Sequence, residues 1–183
     1  VAGGSVYVGE SDGSVHALSV GDGSVRWSFR TEKRIDSSPA VDGDAVFVGS
    51  ADSRVYALSA VDGSERGRFE TEYEVVSSPT VLGDVVYVGG GDGRVYALST
   101  ADGDERWHFQ TDGMVNTSPA VVGDTVYVGT GGHGVFALAT ADGTERWHVG
   151  TDGALNSSPA VVDDTVYVGS ETTTYALSTA DGS

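Results

Sequence analysis

A repeat of 40 residues constrains this chain more than any other feature. The segment VYVG, or VFVG in one copy, begins at residues 6, 46, 86, 126 and 166. The pair Asp-Gly recurs at 22, 62, 102 and 142, and once more at 181. The chain has four prolines, and they keep the same spacing: Pro39, Pro79, Pro119 and Pro159. A chain in which every element is tied to one unit is predicted to fold as an array of repeats.

Each unit contains four short runs of β-forming composition. In one unit they are SPAVV, TVYVGT, GVFALAT and TERWHVG, at 118–122, 125–130, 134–140 and 144–150. β-Branched and aromatic residues favour strands, and the intervening Gly-Asp and Asp-Gly pairs supply the positive φ that tight hairpins need. The two middle runs are apolar on both faces, which indicates central strands. The first run begins with proline and the fourth is the most polar, so both are predicted to lie at sheet edges.

These patterns predict an all-β fold, a β-propeller of four-stranded antiparallel blades, because no window shows a helical period of apolar residues. We expect residues 1–183 to form a single repeat array of about four and a half blades. The expected units are a partial blade 1–36, blades 37–76, 77–116 and 117–156, and a partial blade 157–183. A fragment of a larger ring is favoured because both ends would leave sheet edges unprotected. The alternatives are a small five-bladed monomer and a homo-oligomer that completes the ring.

The charge of the chain indicates the salt conditions to which it is suited and the classes of partner that it disfavours. Asp and Glu total 27 against ten Lys and Arg, Lys33 is the only lysine, and the formal net charge is −17. Such aspartate-rich, lysine-poor surfaces resemble those of salt-adapted archaea, in which concentrated salt screens self-repulsion, so we interpret the chain as halophilic. Nucleic acid is an unfavourable partner because its phosphates would be repelled. Cysteine is absent, which excludes disulfides, and no apolar run reaches the length of a membrane span.

No pattern indicates catalysis, a cofactor or a metal. Each recurrent Asp precedes a Gly in a hairpin turn, whereas calcium needs six to eight oxygens that converge on one point. His108 and His148 occupy equivalent places on the polar outer strand, which is typical of a solvated face. His16 and His133 are single, without a partner at ligand spacing. We therefore predict no catalytic, cofactor-binding or metal-binding residue.

The loop from the fourth strand to the next first strand varies most between units. Its copies read TEKRID, TEYEVV, TDGMVN and TDGALN, at 31–36, 71–76, 111–116 and 151–156. In a propeller these loops lie on one face around the axis, where partners dock. The candidate binding-face residues are Lys33, Arg34, Tyr73, Met114, Asn116 and Asn156.

One repeated motif carries a family resemblance. The segments ALSVGDGSVRW, ALSTADGDERW and ALATADGTERW, at 17–27, 97–107 and 137–147, are similar to the tryptophan-docking motif of pyrroloquinoline-quinone (PQQ) repeat propellers. The resemblance covers nearly the whole chain. It implies that each tryptophan packs across an interface between adjacent blades. The implied blade-docking residues are Trp27, Trp107, Trp147, Ala17, Ala97 and Ala137. The second unit departs from the motif, since Gly67 stands where tryptophan is expected.

We therefore expect a non-catalytic scaffold for protein or other surface interactions in a halophile, with a protein partner that the sequence does not identify. Similar lipoproteins of the bacterial outer-membrane assembly machinery imply an extracytoplasmic or cell-surface location, with the cytoplasm as the alternative. The rival function is that of a fragment of a PQQ-dependent quinoprotein dehydrogenase. Family enzymes of that kind carry a vicinal cysteine pair, calcium ligands and an aromatic lid, and this chain has no cysteine. A third interpretation is an evolved or engineered symmetric array.

Overall fold

The structure is a computed structural model that describes residues 1–132 and 134–183, and these residues form 18 β-strands. His133 lies outside the described residues. The strands are β1 (Ser5–Gly9), β2 (Ser14–Ser19), β3 (Val25–Arg30), β4 (Ala40–Asp42), β5 (Ala45–Ser50), β6 (Arg54–Ser59), β7 (Glu65–Glu70), β8 (Thr80–Leu82), β9 (Val85–Gly89), β10 (Arg94–Ser99), β11 (Glu105–Gln110), β12 (Ala120–Val122), β13 (Thr125–Gly129), β14 (Gly134–Ala139), β15 (Glu145–Gly150), β16 (Ala160–Val162), β17 (Thr165–Gly169) and β18 (Thr174–Ser178). Across these residues, no helix has the length and apolar character that a membrane crossing requires.

The strands form five antiparallel sheets in which each strand pairs with its neighbours in the chain. In order along the chain the sheets are β1–β3, β4–β7, β8–β11, β12–β15 and β16–β18, called here the first to the fifth sheet. The predicted edge strands are confirmed, because β4, β8, β12 and β16 each lie at the edge of a sheet. Pro119 precedes β12, so its missing N–H group costs no ladder bond.

A β-bulge marks the pairing of the last two strands in each of the first four sheets. In the third sheet, Ala97 pairs with Trp107 and Leu98 pairs with Glu105, which leaves Arg106 as the extra residue. A bulge re-aims the side chains around it. Here the arginine reaches Asp84 of the same sheet, with Nη2 at 2.6 Å from Oδ2.

The first strands of successive sheets lie around a common axis. Strand β4 contacts β8, β8 contacts β12, and β12 contacts β16. Beside them runs a series of hydrogen bonds between residues 40 apart. Ser38 N–H donates to Ser78 Oγ at 2.8 Å, Ser78 N–H to Ser118 Oγ at 2.9 Å, and Ser118 N–H to Ser158 Oγ at 2.9 Å. The sheets are therefore blades arranged around an axis, which confirms the predicted all-β propeller architecture.

The apolar core lies between the blades. Four clusters of buried side chains fill the four interfaces between successive sheets. Between the third and fourth sheets, Tyr87 and Trp107 meet Val126, Phe136 and Leu138. All five residues of β9 and of β13 are buried, as predicted for central strands covered on both faces.

The Asp-Gly pairs form the turns between third and fourth strands. Asp62 Oδ1 accepts hydrogen bonds from the Ser64 hydroxyl at 2.8 Å and from the Ser64 N–H at 3.1 Å. The Ser64 hydroxyl, then the Ser59 side chain and the Ser64 N–H, lower the pKa of Asp62 to about 2. The carboxylates thus satisfy turn backbone groups, which is the usual role of aspartate at such positions.

Candidate binding face and blade interfaces

Four equivalent loops, residues 31–36, 71–76, 111–116 and 151–156, form what we call the loop face. Each loop begins with a threonine whose hydroxyl donates to the carbonyl two residues later, as from Thr71 to Tyr73 O at 2.6 Å. The same bond is made by Thr31, Thr111 and Thr151. The fifth residue of each loop is a buried aliphatic anchor, and these anchors are Ile35, Val75, Val115 and Leu155. Each loop is therefore held by two contacts, the threonine hydrogen bond and the buried aliphatic side chain.

The buried anchors fit against glycines at the ends of the second strands. A Cβ atom on Gly49 would lie 2.5 Å from Val75 Cγ1, so only glycine allows the anchor to sit this close. The loop residues between the threonine and the anchor are held at the surface as a result. This arrangement presents variable side chains on a rigid support.

Successive blades are also joined across the loop face. Glu32 N–H donates to Asp52 Oδ2 at 3.0 Å, and Gly91 N–H donates to Glu74 O at 2.9 Å. Each bond runs from one loop to the hairpin between the second and third strands of the next sheet. The prediction from sequence missed this role of Asp52. Its signal is the recurrence of aspartate at 12, 52 and 92, which follows the 40-residue period.

The structure places all six candidate binding-face residues on the loop face, and all six are exposed at the surface. Tyr73 is 61% exposed and Met114 is 56% exposed, which is unusual for an aromatic and a thioether side chain. Within the part of the chain that the structure describes, no hydrogen bond or ion pair joins two of the six. They are separate projections from neighbouring loops and not one preformed cluster.

The adjacent basic pair Lys33 and Arg34 is partly neutralised. Arg34 Nε lies 2.6 Å from Asp36 Oδ2, and Arg34 Nη2 lies 2.9 Å from Glu74 Oε2 of the next loop. The hydrogen bond and charge of Asp36, followed by the charge of Glu74, raise the pKa of Arg34. Sequence inspection could not reveal the bond to Glu74, because the two residues are 40 positions apart. Arg34 thus links two loops while remaining exposed.

Each tryptophan spans an interface between successive sheets. Trp27 Nε1 donates to Ala60 O at 3.1 Å, and Trp107 Nε1 donates to Thr140 O at 3.0 Å. Trp147 makes the same bond to Thr179 O at 3.0 Å. Each indole is 8% exposed and lies over the glycine of the next Asp-Gly turn, where a Cβ on Gly143 would lie 2.6 Å from Trp107 Cε3. The alanines at the start of the motif are the cross-strand partners of these tryptophans and are fully buried: Ala17, Ala97 and Ala137.

The three histidines that the structure describes, His16, His108 and His148, lie outside the loop face. His108 and His148 are exposed on the outer strands β11 and β15. His148 stacks on Phe136 at 4.1 Å between ring centroids, and His108 Nδ1 lies 2.7 Å from Glu105 Oε1. His16 Nδ1 lies 2.8 Å from Ser28 Oγ. Over residues 1–132 and 134–183, no three His, Cys, Asp or Glu side chains form a group that could hold a metal ion.

Comparison with known proteins agrees with this architecture. The model of the PQQ_2 family, described as outer membrane protein assembly factor BamB, matches residues 11–183. Among solved structures, the computationally designed Ika8 protein has a TM-score of 0.88 and 18% identity, over 97% of this chain and 56% of that one. BamB from Moraxella catarrhalis has a TM-score of 0.81 and 21% identity, over 98% of this chain and 64% of that one. The chain thus spans less than two thirds of either, and at these identities the likeness shows the fold alone. No curated protein matches the chain.

Proposed function

The chain belongs to the PQQ_2 family of outer membrane protein assembly factor BamB, and from this premise we propose that it is a non-catalytic β-propeller scaffold for protein interactions. The observation that carries the proposal is the loop face. Equivalent loops are held in one backbone form by threonine and by a buried anchor, yet they expose unlike side chains. A rigid platform with variable loops is suited to recognition.

The chemistry of the loop face favours a protein partner. Tyr73 and Met114 offer exposed apolar area, and aromatic and methionine side chains are enriched at protein interfaces. Lys33 and Arg34 stand among many carboxylates and can orient a partner through charge. Asn116 and Asn156 add hydrogen-bonding groups at equivalent places in successive loops. An extracytoplasmic or cell-surface location is part of this proposal, by analogy with the family's description.

Photo-crosslinking tests the proposed face. A benzophenone amino acid placed at Tyr73 is expected to form an adduct of defined mass with a partner in cells of the source organism. Val61 is the matched control, because it is 79% exposed on the third-to-fourth strand turn at the opposite end of the same sheet. We expect no adduct from Val61. Equal labelling from both positions, or adducts from Val61 alone, would reject the loop face as the docking surface.

Binding of PQQ tests the rival function, that of a quinoprotein dehydrogenase. On addition of PQQ and calcium to the purified protein, we expect no saturable absorbance of a bound quinone. The reason is that the described residues provide no three-ligand group for the metal that accompanies this cofactor. A stoichiometric, saturable signal would replace the scaffold proposal with the enzyme.

We also propose that the protein is adapted to concentrated salt. With a net charge of −17, its carboxylates repel one another at low ionic strength. The Debye length falls from about 10 Å at 0.1 M salt to about 3 Å at 1 M, so this repulsion is then screened. The melting temperature, followed by circular dichroism, is expected to rise strongly between low and molar KCl. A melting temperature that does not change with KCl would contradict the adaptation.

A further inference from the structure

One of the four blade interfaces lacks its tryptophan. Between the second and third sheets, Gly67 occupies the position that Trp27, Trp107 and Trp147 hold elsewhere, opposite Ala57 in the ladder. The place that an indole would fill is open, since a Cβ on Gly103 would meet no atom within 4 Å. At the three other interfaces, the equivalent glycine carries the face of an indole. The interface therefore contains a vacant indole position.

The vacant position, which we call the indole slot, opens into a surface groove of about 270 Å³. It is lined by Phe47, Ala57, Gly67, Thr100 and Gly103, together with charged residues. A similar groove of about 300 Å³ lies at the first interface beside Trp27, so the volume of the groove does not itself measure the missing indole. The room for a ring over Gly103 is shown by the two glycines, because a Cβ on Gly103 would meet no atom within 4 Å and one on Gly67 would meet only Asp102 O, at 3.6 Å.

The same interface has lost a second hydrogen-bond donor. At the other three interfaces the carbonyl that accepts the indole N–H also lies near a tyrosine hydroxyl, as with Tyr7 and Ala60 O at 3.3 Å. Here the tyrosine is replaced by Phe47. No side chain or N–H group among the described residues donates to Thr100 O, which is the equivalent carbonyl. The indole slot therefore combines an aromatic wall with an acceptor that has no donor.

We propose that the indole slot binds a planar aromatic ring that carries an N–H donor, of the indole class. The ring would lie over Gly103, pack beside Phe47 and donate its N–H to Thr100 O. This is the arrangement that Trp107 adopts over Gly143, beside Tyr87 at 5.9 Å between ring centroids, with its N–H on Thr140 O. The proposed ligand would thus make the same contact that Trp27, Trp107 and Trp147 make at the other three interfaces.

The charged residues that line the slot favour some of these ligands over others. Asp42, Asp44 and Asp102 line the slot, and Arg66 is the one cation among the lining residues. Arg66 is already engaged, with Nη1 and Nη2 at 2.8 and 2.7 Å from the two oxygens of Asp44. Because Arg66 is paired with Asp44, the net charge of the residues that line the slot is negative. Neutral or cationic ligands such as indole and tryptamine should therefore bind more tightly than indole-3-acetate.

Calorimetric titration of the whole chain with indole tests the site, and we expect saturable binding of one molecule per chain. Gly67→Trp fills the slot from within and should weaken binding at least about tenfold. Val61→Trp is the control, because it adds an indole at an exposed turn and should leave the affinity unchanged. A Gly67→Trp variant that binds indole as well as the parent would overturn the proposal, as would no saturable binding to the parent.

Two further probes need no variant. 1-Methylindole keeps the ring but lacks the N–H, so it should bind about tenfold more weakly, the effect of losing one hydrogen bond. Equal affinity for both rings would overturn the assignment of Thr100 O. N-Acetyltryptophanamide identifies the natural source of the ring. If it binds at least as tightly as indole, the ligand is a tryptophan side chain of a partner, and if only indole binds, the ligand is a small molecule.

Discussion

Replacing Trp107 with alanine should lower the free energy of unfolding by about 3 to 5 kcal/mol, the usual cost of removing a buried tryptophan. The indole is 8% exposed, packs against Tyr87, and donates its N–H to Thr140 O in the next sheet. Its loss leaves a cavity at the interface and removes the shorter of the two hydrogen bonds to Thr140 O, since the Tyr87 hydroxyl remains at 3.5 Å. Urea unfolding followed by circular dichroism measures the change. Trp107→Phe keeps an apolar ring, so its free energy of unfolding should fall less than that of Trp107→Ala.

Two glycine variants measure the contribution of the packing between Trp107 and Gly143 separately from other effects on the blade. Gly103 and Gly143 occupy the same turn position with φ of 79° and 73°, so alanine strains the backbone equally at both. Only at Gly143 would the new Cβ also meet an indole, 2.6 Å from Trp107 Cε3. Gly143→Ala should therefore cost about 1 to 3 kcal/mol more than Gly103→Ala. Equal losses in the two variants, or a loss below about 1 kcal/mol for Trp107→Ala, would show that the indole does not hold the blades together.

Gly67→Trp should stabilise the protein by about 2 to 4 kcal/mol, since burying a tryptophan removes about 150 to 250 Å² of side chain from water. The site has room, because a Cβ on Gly67 would meet only Asp102 O, at 3.6 Å. The new indole could lie over Gly103 and donate to Thr100 O, as Trp107 does to Thr140 O. The increase is measured as a higher urea midpoint at an unchanged slope.

Gly67→Ala separates the effect of the ring from the effect of removing a glycine. Alanine in a strand should stabilise by about 0.5 to 1 kcal/mol, because glycine loses more backbone freedom on folding. The difference between the two variants is the contribution of the filled slot. If Gly67→Trp were no more stable than Gly67→Ala, the indole slot would not be equivalent to the other three interfaces.

The sequence predicted the repeat architecture well because that architecture depends on local patterns. The spacing of the Asp-Gly turns sets where each hairpin reverses, and runs such as TVYVGT can be read as central strands from their apolar character on both faces. The proline before each first strand indicates its edge position, and Pro119 does precede the edge strand β12. The candidate loops could be located for the same reason, because the structure shows Tyr73 and Met114 exposed where the repeat varies.

The contacts between blades could not be predicted in the same way. The buried anchor Val75 and the exposed Tyr73 stand two positions apart in one loop, and the structure shows that Val75 packs closely against Gly49 while Tyr73 faces solvent. Arg34 looks like half of a free basic pair until Glu74 of the next loop is placed beside it. Gly67 is visible in the sequence as a missing tryptophan. The indole slot that it leaves also depends on Phe47, Thr100 and Gly103, which lie in two different sheets.

The sequence by itself determined the strand order within each blade, the turns and the period, since these follow from the preferences of neighbouring residues. The tertiary structure decided which charges are paired, which loop residues are exposed, and that one interface keeps an open position with an unused acceptor at Thr100. The physical reason is that these properties belong to the contact between two sheets. Residues about 40 positions apart meet there, and the free energy of that contact is set by the packing of both surfaces together.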